Sequence, residues 1–259
     1  MNTLTQGFAP IGLAALNAKA AMLERLDNKY VVKGAVLRRA LPRLAELFDV
    51  LEIDGRRSFV YETCYFDDPE LRSYYDHHQG RRQRMKVRVR RYVDAALCFV
   101  EVKLKDKRGA TIKKRMPYDP AAYGTLDDAA RAHAEKSYRD LYGRAFERPL
   151  EPVLRMSYSR VTLVAREGGE RMTIDSGIRF DGSGDQQATD GDIFIVETKS
   201  ANGNGLADRV LRRLHQHPTN GCSKYCVGMS VTGAVGRFNR FLPALRKLGS
   251  APVTSLETT

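Results

Sequence analysis

The stretch QRMKVRVRRY at residues 83 to 92 alternates strictly, with Arg84, Lys86, Arg88 and Arg90 at even positions and Met85, Val87 and Val89 at odd ones. A β-strand sends successive side chains to opposite faces, so this segment has one cationic face and one apolar face. The same period recurs at 97 to 105, where Glu101, Lys103 and Lys105 oppose Val100, Val102 and Leu104, and at 192 to 199, where Glu197 and Lys199 oppose Phe194, Val196 and Thr198. Weaker copies are Arg25, Asp27 and Lys29; Tyr158, Arg160 and Thr162; and Arg171, Thr173 and Asp175.

Taken singly, each such strand belongs to an antiparallel sheet with one wet face, which needs no function. The chain, however, also supplies helices whose apolar stripes must cover something. Residues 34 to 48 carry Val36, Leu37, Leu41, Leu44 and Leu47 at helical spacing. Further helices are predicted at 8 to 23, from Asp68-Pro69 to Gly80, as a pair within 119 to 147, at 205 to 215 and at 237 to 248. The remaining strands fall at 24 to 32, 58 to 66, 110 to 116, 153 to 166 and 170 to 180. Helices that cover the apolar faces from outside turn the charged faces inward. The expected fold is therefore α+β: an antiparallel closed β-barrel with a charged lumen and helices packed around it. Such a lumen must hold water, counter-ions or an anion, because desolvating unpaired charges costs several kcal/mol per ion.

Composition agrees with an anionic partner. The 259 residues carry 43 Lys and Arg against 31 Asp and Glu, a net charge of +12, which suits nucleic acid, an acidic membrane surface or polyphosphate. A hydrophobic content of 42% is enough for one sizeable core. The apolar stretches are too short to cross a bilayer and the N-terminus lacks a secretory layout, so a cytoplasmic protein is expected. Cys64, Cys98, Cys222 and Cys226 form no CxxC pair and read as reduced, mostly buried thiols without a zinc site.

The charged strands carry eight blocks in a fixed order: RLDNKY at 25 to 30, YFDDPEL at 65 to 71, GRRQRMKVRVR at 80 to 90, FVEVK at 99 to 103, YSR at 158 to 160, TID at 173 to 175, VETK at 196 to 199 and SKY at 223 to 225. Together they resemble the catalytic domain of the vacuolar transporter chaperone (VTC) family of polyphosphate polymerases, within the triphosphate tunnel metalloenzyme (CYTH-like) superfamily. The likeness covers roughly residues 24 to 232. It implies a tunnel domain at 24–248, flanked by an N-terminal helical extension (1–23) and a C-terminal tail (249–259).

The resemblance further implies a phosphotransferase that moves the terminal phosphoryl group of a nucleoside triphosphate such as ATP onto phosphate or a growing polyphosphate chain, with Mn²⁺ or Mg²⁺. By position, Lys29, Arg88, Arg90, Lys103, Arg160 and Lys224 are its phosphate ligands. Tyr158 and Ser223 are supporting donors, Lys86, Lys113, Arg171 and Lys199 further substrate contacts, and Glu197 the metal carboxylate. Two departures stand out. Arg25 and Asp27 occupy places where the superfamily usually has two glutamates, which counts against metal-bound hydrolysis. The phosphate-sensing domain and membrane spans of the eukaryotic polymerases have no counterpart in the sequence, so coupled export is not expected. The rival readings are a tunnel triphosphatase using water as acceptor and a non-catalytic binder of polyphosphate or nucleic acid. The latter would use an outward basic face with exposed aromatics such as Tyr74 and Tyr75.

Overall fold

The computed structural model describes residues 2–19, 26–182 and 186–250. In chain order the first elements are α1 (Asn2–Thr5), β1 (Pro10–Ile11), α2 (Leu13–Lys19), β2 (Leu26–Lys33), α3 (Gly34–Leu47), β3 (Phe48–Leu51) and β4 (Phe59–Asp67). Next come α4 (Arg72–His78), β5 (Arg84–Tyr92), β6 (Leu97–Lys105), β7 (Thr111–Pro117), α5 (Asp128–Tyr142), β8 (Glu151–Ala165) and β9 (Arg171–Asp181). The last are β10 (Gln187–Ala188), β11 (Ile193–Ser200), α6 (Leu206–Arg213), α7 (Lys224–Val231) and α8 (Leu242–Leu248).

The main strands hydrogen-bond in the order β2-β11-β9-β8-β4-β5-β6-β7, all as antiparallel neighbours. Among the described residues β2 and β7 do not pair, so the expected closed barrel is corrected to an antiparallel sheet that curls without closing its ladder. Across the inner face Lys29 of β2 lies close enough to Lys103 and Lys105 of β6 to disfavour their charged forms, and Lys113 of β7 pairs in register with Lys103.

Helices cover the outer face as the apolar stripes require. Leu37, Ala40 and Leu44 of α3, with Val210 and Leu211 of α6, pack on Tyr30, Val32, Val161, Leu163, Ile174, Phe194 and Val196. Ala130, Ala134 and Tyr138 of α5 pack on Met85, Val87, Val89, Val100, Val102 and Leu104. The α5 helix starts where the Asp127 carboxylate accepts from the Ala130 amide at 2.8 Å and ends at Gly143 in the left-handed region (φ 69°).

Helix α7 lies differently. Tyr225 to Val231 are all buried, and they pack with α8 on Val31, Tyr65, Leu154, Met156, Ile178, Phe180 and Ile195. Val31 and Ile195 share strand parity with Lys29 and Glu197, so α7 and α8 fill one end of the charged face's own cavity. Tyr225 ties α7 down by donating its hydroxyl to the buried Asp67 carboxylate at 2.6 Å, which also accepts from the Ser73 and Tyr74 amides at the start of α4.

Several sequence expectations are corrected. The helix at 8 to 23 is interrupted, because Pro10 and Ile11 pair with Val50 and Leu51 of β3, a strand the hydrophobic pattern did not reveal. The helical pair within 119 to 147 is a single helix preceded by the short turn Pro120–Ala122. Helix α7 was missed because it is buried from Tyr225 to Val231 and shows no amphipathic period. Arg25 and nearly all of the tail at 249 to 259 lie outside the described residues. Among the described residues no helix is long and apolar enough to cross a membrane, and all four cysteines are buried and unpaired.

Candidate functional site: a cationic trough inside the curled sheet

Three carboxylates organise the inner face, each shared by two or three cations. Glu101 on β6 is 1% exposed and meets Arg88 (2.5 Å), Lys113 (2.5 Å) and Arg90 (3.8 Å). Asp175 on β9 has no exposure; it accepts from Arg160 Nε and Nη2 at 2.6 and 2.8 Å and from Lys224 at 2.5 Å. Glu197 on β11 stands between Lys29 at 3.8 Å and Lys199 at 3.7 Å. Burial alone would push these acids up, yet the surrounding cations override it: Arg88 first at Glu101, Arg160 at Asp175 and Lys29 at Glu197 hold all three below the usual carboxylate range.

The cations are ordered by this pairing. Burial works against the Arg88 and Lys224 charges, but Glu101 and Asp175 respectively hold both above their ordinary values. Among the described residues no carboxylate forms an ion pair with Lys103. Crowding by protein, then the charge of Lys29, push its ammonium down to about 7, although solvent still reaches the residue. Lys113 is lowered to about 8, crowding by protein outweighing Glu101, although its side chain is 44% exposed. Lys86 donates to Ser223 Oγ at 2.9 Å and is likewise lowered, mainly by burial.

Aromatic rings carry the guanidinium groups. Tyr61 and Tyr158 stack at 5.4 Å, Arg160 lies over both at 5.0 and 5.2 Å, and Arg90 lies 5.7 Å from the Tyr61 ring. Lys224 lies 5.1 Å from the Tyr158 ring. Arg88 donates to the Tyr65 hydroxyl at 3.1 Å, and although burial would raise that phenol, Arg88 and Arg90 lower it. Among the described residues the buried Tyr158 and Thr173 hydroxyls find no hydrogen-bond partner.

The structure thus brings together Lys29, Lys86, Arg88, Arg90, Lys103, Lys113, Tyr158, Arg160, Glu197, Lys199, Ser223 and Lys224 on one inner face, closed at one end by α7. Arg171 shares the face but stands at the opposite end, donating to Asn17 of α2 at 3.4 Å. Sequence reasoning did not name Glu101, Asp175, Tyr61 or Tyr65 as site residues. The available signal for the two acids was a carboxylate at inward parity among cations. Tyr74, in contrast, is fully buried against α7 and Phe241, so it offers no stacking surface.

The chain has counterparts among solved structures. It is similar to a candidate adenylate cyclase from Bacillus halodurans (13% identity, 77% of this chain and 95% of that chain, TM-score 0.48). It is also similar to a candidate adenylyl cyclase from Hippeastrum with a dominant triphosphatase activity (15% identity, 80% and 96%, TM-score 0.46). No curated protein matches it. The family model of the VTC domain matches residues 24–232, and the chain belongs to that family.

Proposed function

We propose that this chain is a metal-dependent polyphosphate polymerase, which transfers the terminal phosphoryl group of a nucleoside triphosphate to phosphate or to a growing polyphosphate chain. The observation that carries the reading is the surplus of inward cations over the three carboxylates, together with the unbonded Tyr158 and Thr173 hydroxyls. Linked phosphates neutralise such a surface along its whole length, and phosphoryl transfer needs little from the protein beyond positioning and charge neutralisation.

In this reading Arg88, Arg90 and Arg160 bind phosphate oxygens through planar, multi-donor guanidinium groups that Glu101 and Asp175 already orient. Lys29, Lys86, Lys103 and Lys224 supply compact charge, and the Tyr158 hydroxyl supplies one neutral donor. Glu197 suits a hard divalent cation, because its ion pairs at 3.7 and 3.8 Å are longer than hydrogen-bond contact. Among the described residues no three His, Cys, Asp or Glu side chains gather to hold a metal alone, so phosphate oxygens and water would provide its remaining ligands. A divalent ion held there would neutralise charge on the transferring phosphoryl group. Transfer is preferred to hydrolysis because Glu101 and Asp175 are held by cations at 2.5 to 2.8 Å and are poorly placed to orient water.

The test is incubation of the purified protein with ATP and Mn²⁺ or Mg²⁺, with products resolved on a gel. Polyphosphate ladders that disappear in Glu197→Gln support the polymerase. Free phosphate alone shows a triphosphatase, and no turnover with retained polyphosphate binding shows a binder.

A further inference from the structure

Aromatic rings continue the inner face past its last guanidinium. Strand β5 enters the trough beside α7, where Lys86 meets Ser223, and leaves it at Tyr92, so Tyr92 marks the end that α7 does not fill. There Tyr92 stands opposite Tyr61 on β4, and Phe99 of β6 stands opposite Arg90. The rings form a ladder from the trough outwards: Tyr158 to Tyr61 at 5.4 Å, Tyr61 to Tyr92 at 4.9 Å and Tyr92 to Phe99 at 5.9 Å. The Arg115 guanidinium of β7 lies 4.8 Å from the Phe99 ring. Part of this end is covered, because Leu16 of α2 clusters with Val164 and Phe59. The outer rungs of the ladder are not: Tyr92 and Phe99 are half-buried, Arg115 is exposed, and neither ring joins the hydrophobic clusters of the described residues. Aromatic groups at a sheet end most often serve packing alone, but these face the cationic side and keep solvent-accessible surface beside Arg90.

We propose that the shelf formed by Tyr92, Phe99 and Arg115 binds the base of a nucleoside triphosphate whose phosphates lie in the trough. The inference rests on the phosphate-chain reading above and deepens it by assigning the nucleoside end of the substrate. A ligand that matches both surfaces is anionic along one part and flat and aromatic at the other. Arg90 and Tyr92 are one inward rung apart, about 7 Å of extended backbone, which leaves room for a sugar between a phosphate on Arg90 and a base on the rings. Stacking on aromatic side chains accepts any base, because every base has a π-face, and a planar guanidinium such as that of Arg115 adds a second stacking surface. The opposite end offers no such place, since α7 and α8 fill it.

The experiment compares the affinities of ATP and inorganic tripolyphosphate for the wild type, for Tyr92→Leu/Phe99→Leu and for Phe99→Leu alone. Leucine keeps apolar bulk while removing the ring, circular dichroism confirms folding, and the single variant carries the test if the double one does not fold. ATP is expected to bind about ten-fold more weakly to the double variant and about three-fold more weakly to the single one, with tripolyphosphate binding unchanged in both. Equal losses for the two ligands would mean that the rings only support Arg90, and no loss for ATP would mean that the base lies elsewhere; either result overturns the proposal. Ring dependence shown by a single-stranded RNA oligonucleotide and not by ATP would also overturn it. Failure of the wild type to bind tripolyphosphate would instead remove the underlying reading, and the proposal with it.

Discussion

Arg90 and Arg91 are adjacent and alike in charge, yet the fold gives them different work. Arg90 is 6% exposed, lies over Tyr61 and reaches Glu101; Arg91 points outward to Glu62 at 2.8 Å and Tyr123. Arg90→Ala should weaken tripolyphosphate binding by about 1.5–3 kcal/mol, roughly ten- to a hundred-fold. Arg91→Ala should change it less than about three-fold. Titration calorimetry on both variants decides the matter, and equal losses would mean that charge alone binds the ligand. Lys103 allows a second prediction from its ammonium at about 7. At pH 8 the free protein holds it largely neutral, and a bound phosphate chain favours the charged form, so binding takes up protons. The uptake should grow as pH rises from 7 to 8 and shrink below 7, where Lys103 is already protonated. Calorimetry in buffers of different ionisation enthalpy reads this directly. Lys103→Met should reduce the uptake, and unchanged uptake would assign it to Lys113, which sits at about 8.

At the scale of elements, α7 closes one end of the trough and also presents Ser223 and Lys224 to it. Its packing depends on Gly228, where an added Cβ would lie 2.4 Å from Leu154 Cδ2 and 2.7 Å from Phe180 Cδ1. Gly228→Ala should therefore cost about 1–3 kcal/mol of stability by overpacking, seen as a lower urea midpoint. Because the displaced helix carries Lys224 away from Asp175, tripolyphosphate affinity should fall as well. Normal stability would show that the strands can yield to α7. A similar economy appears at α6, where the buried Asp208 accepts from Tyr30, Thr198 and Asn28 and from the Gly205 amide, clamping the helix to β2 and β11. Burial opposes its charge, but these donors, Thr198 first among those that favour ionisation, keep it below the usual carboxylate range.

For the whole molecule, an inner surface with more cations than anions destabilises the folded state until an anion neutralises it. Tripolyphosphate at about a hundred times its dissociation constant should add about 2.7 kcal/mol by mass action, measured as a rise in melting temperature that diminishes with salt. Adenosine, which has no phosphate, should give no rise; an equal rise would point to a different site. By itself the sequence determined the long strands with their inward and outward faces, the helix α3 that covers part of them, and the cationic character of the inner face. Those properties are local, set by a two-residue or a 3.6-residue period. Tertiary structure decided which cations share Glu101 and which share Asp175, since those partners meet only after β5, β6, β8, β9 and α7 are assembled. It also decided that α7, buried from Tyr225 to Val231, fills the inner end, and that among the described residues the ladder stays open between β2 and β7. Both outcomes depend on contacts between segments far apart in the chain, which no local periodicity encodes.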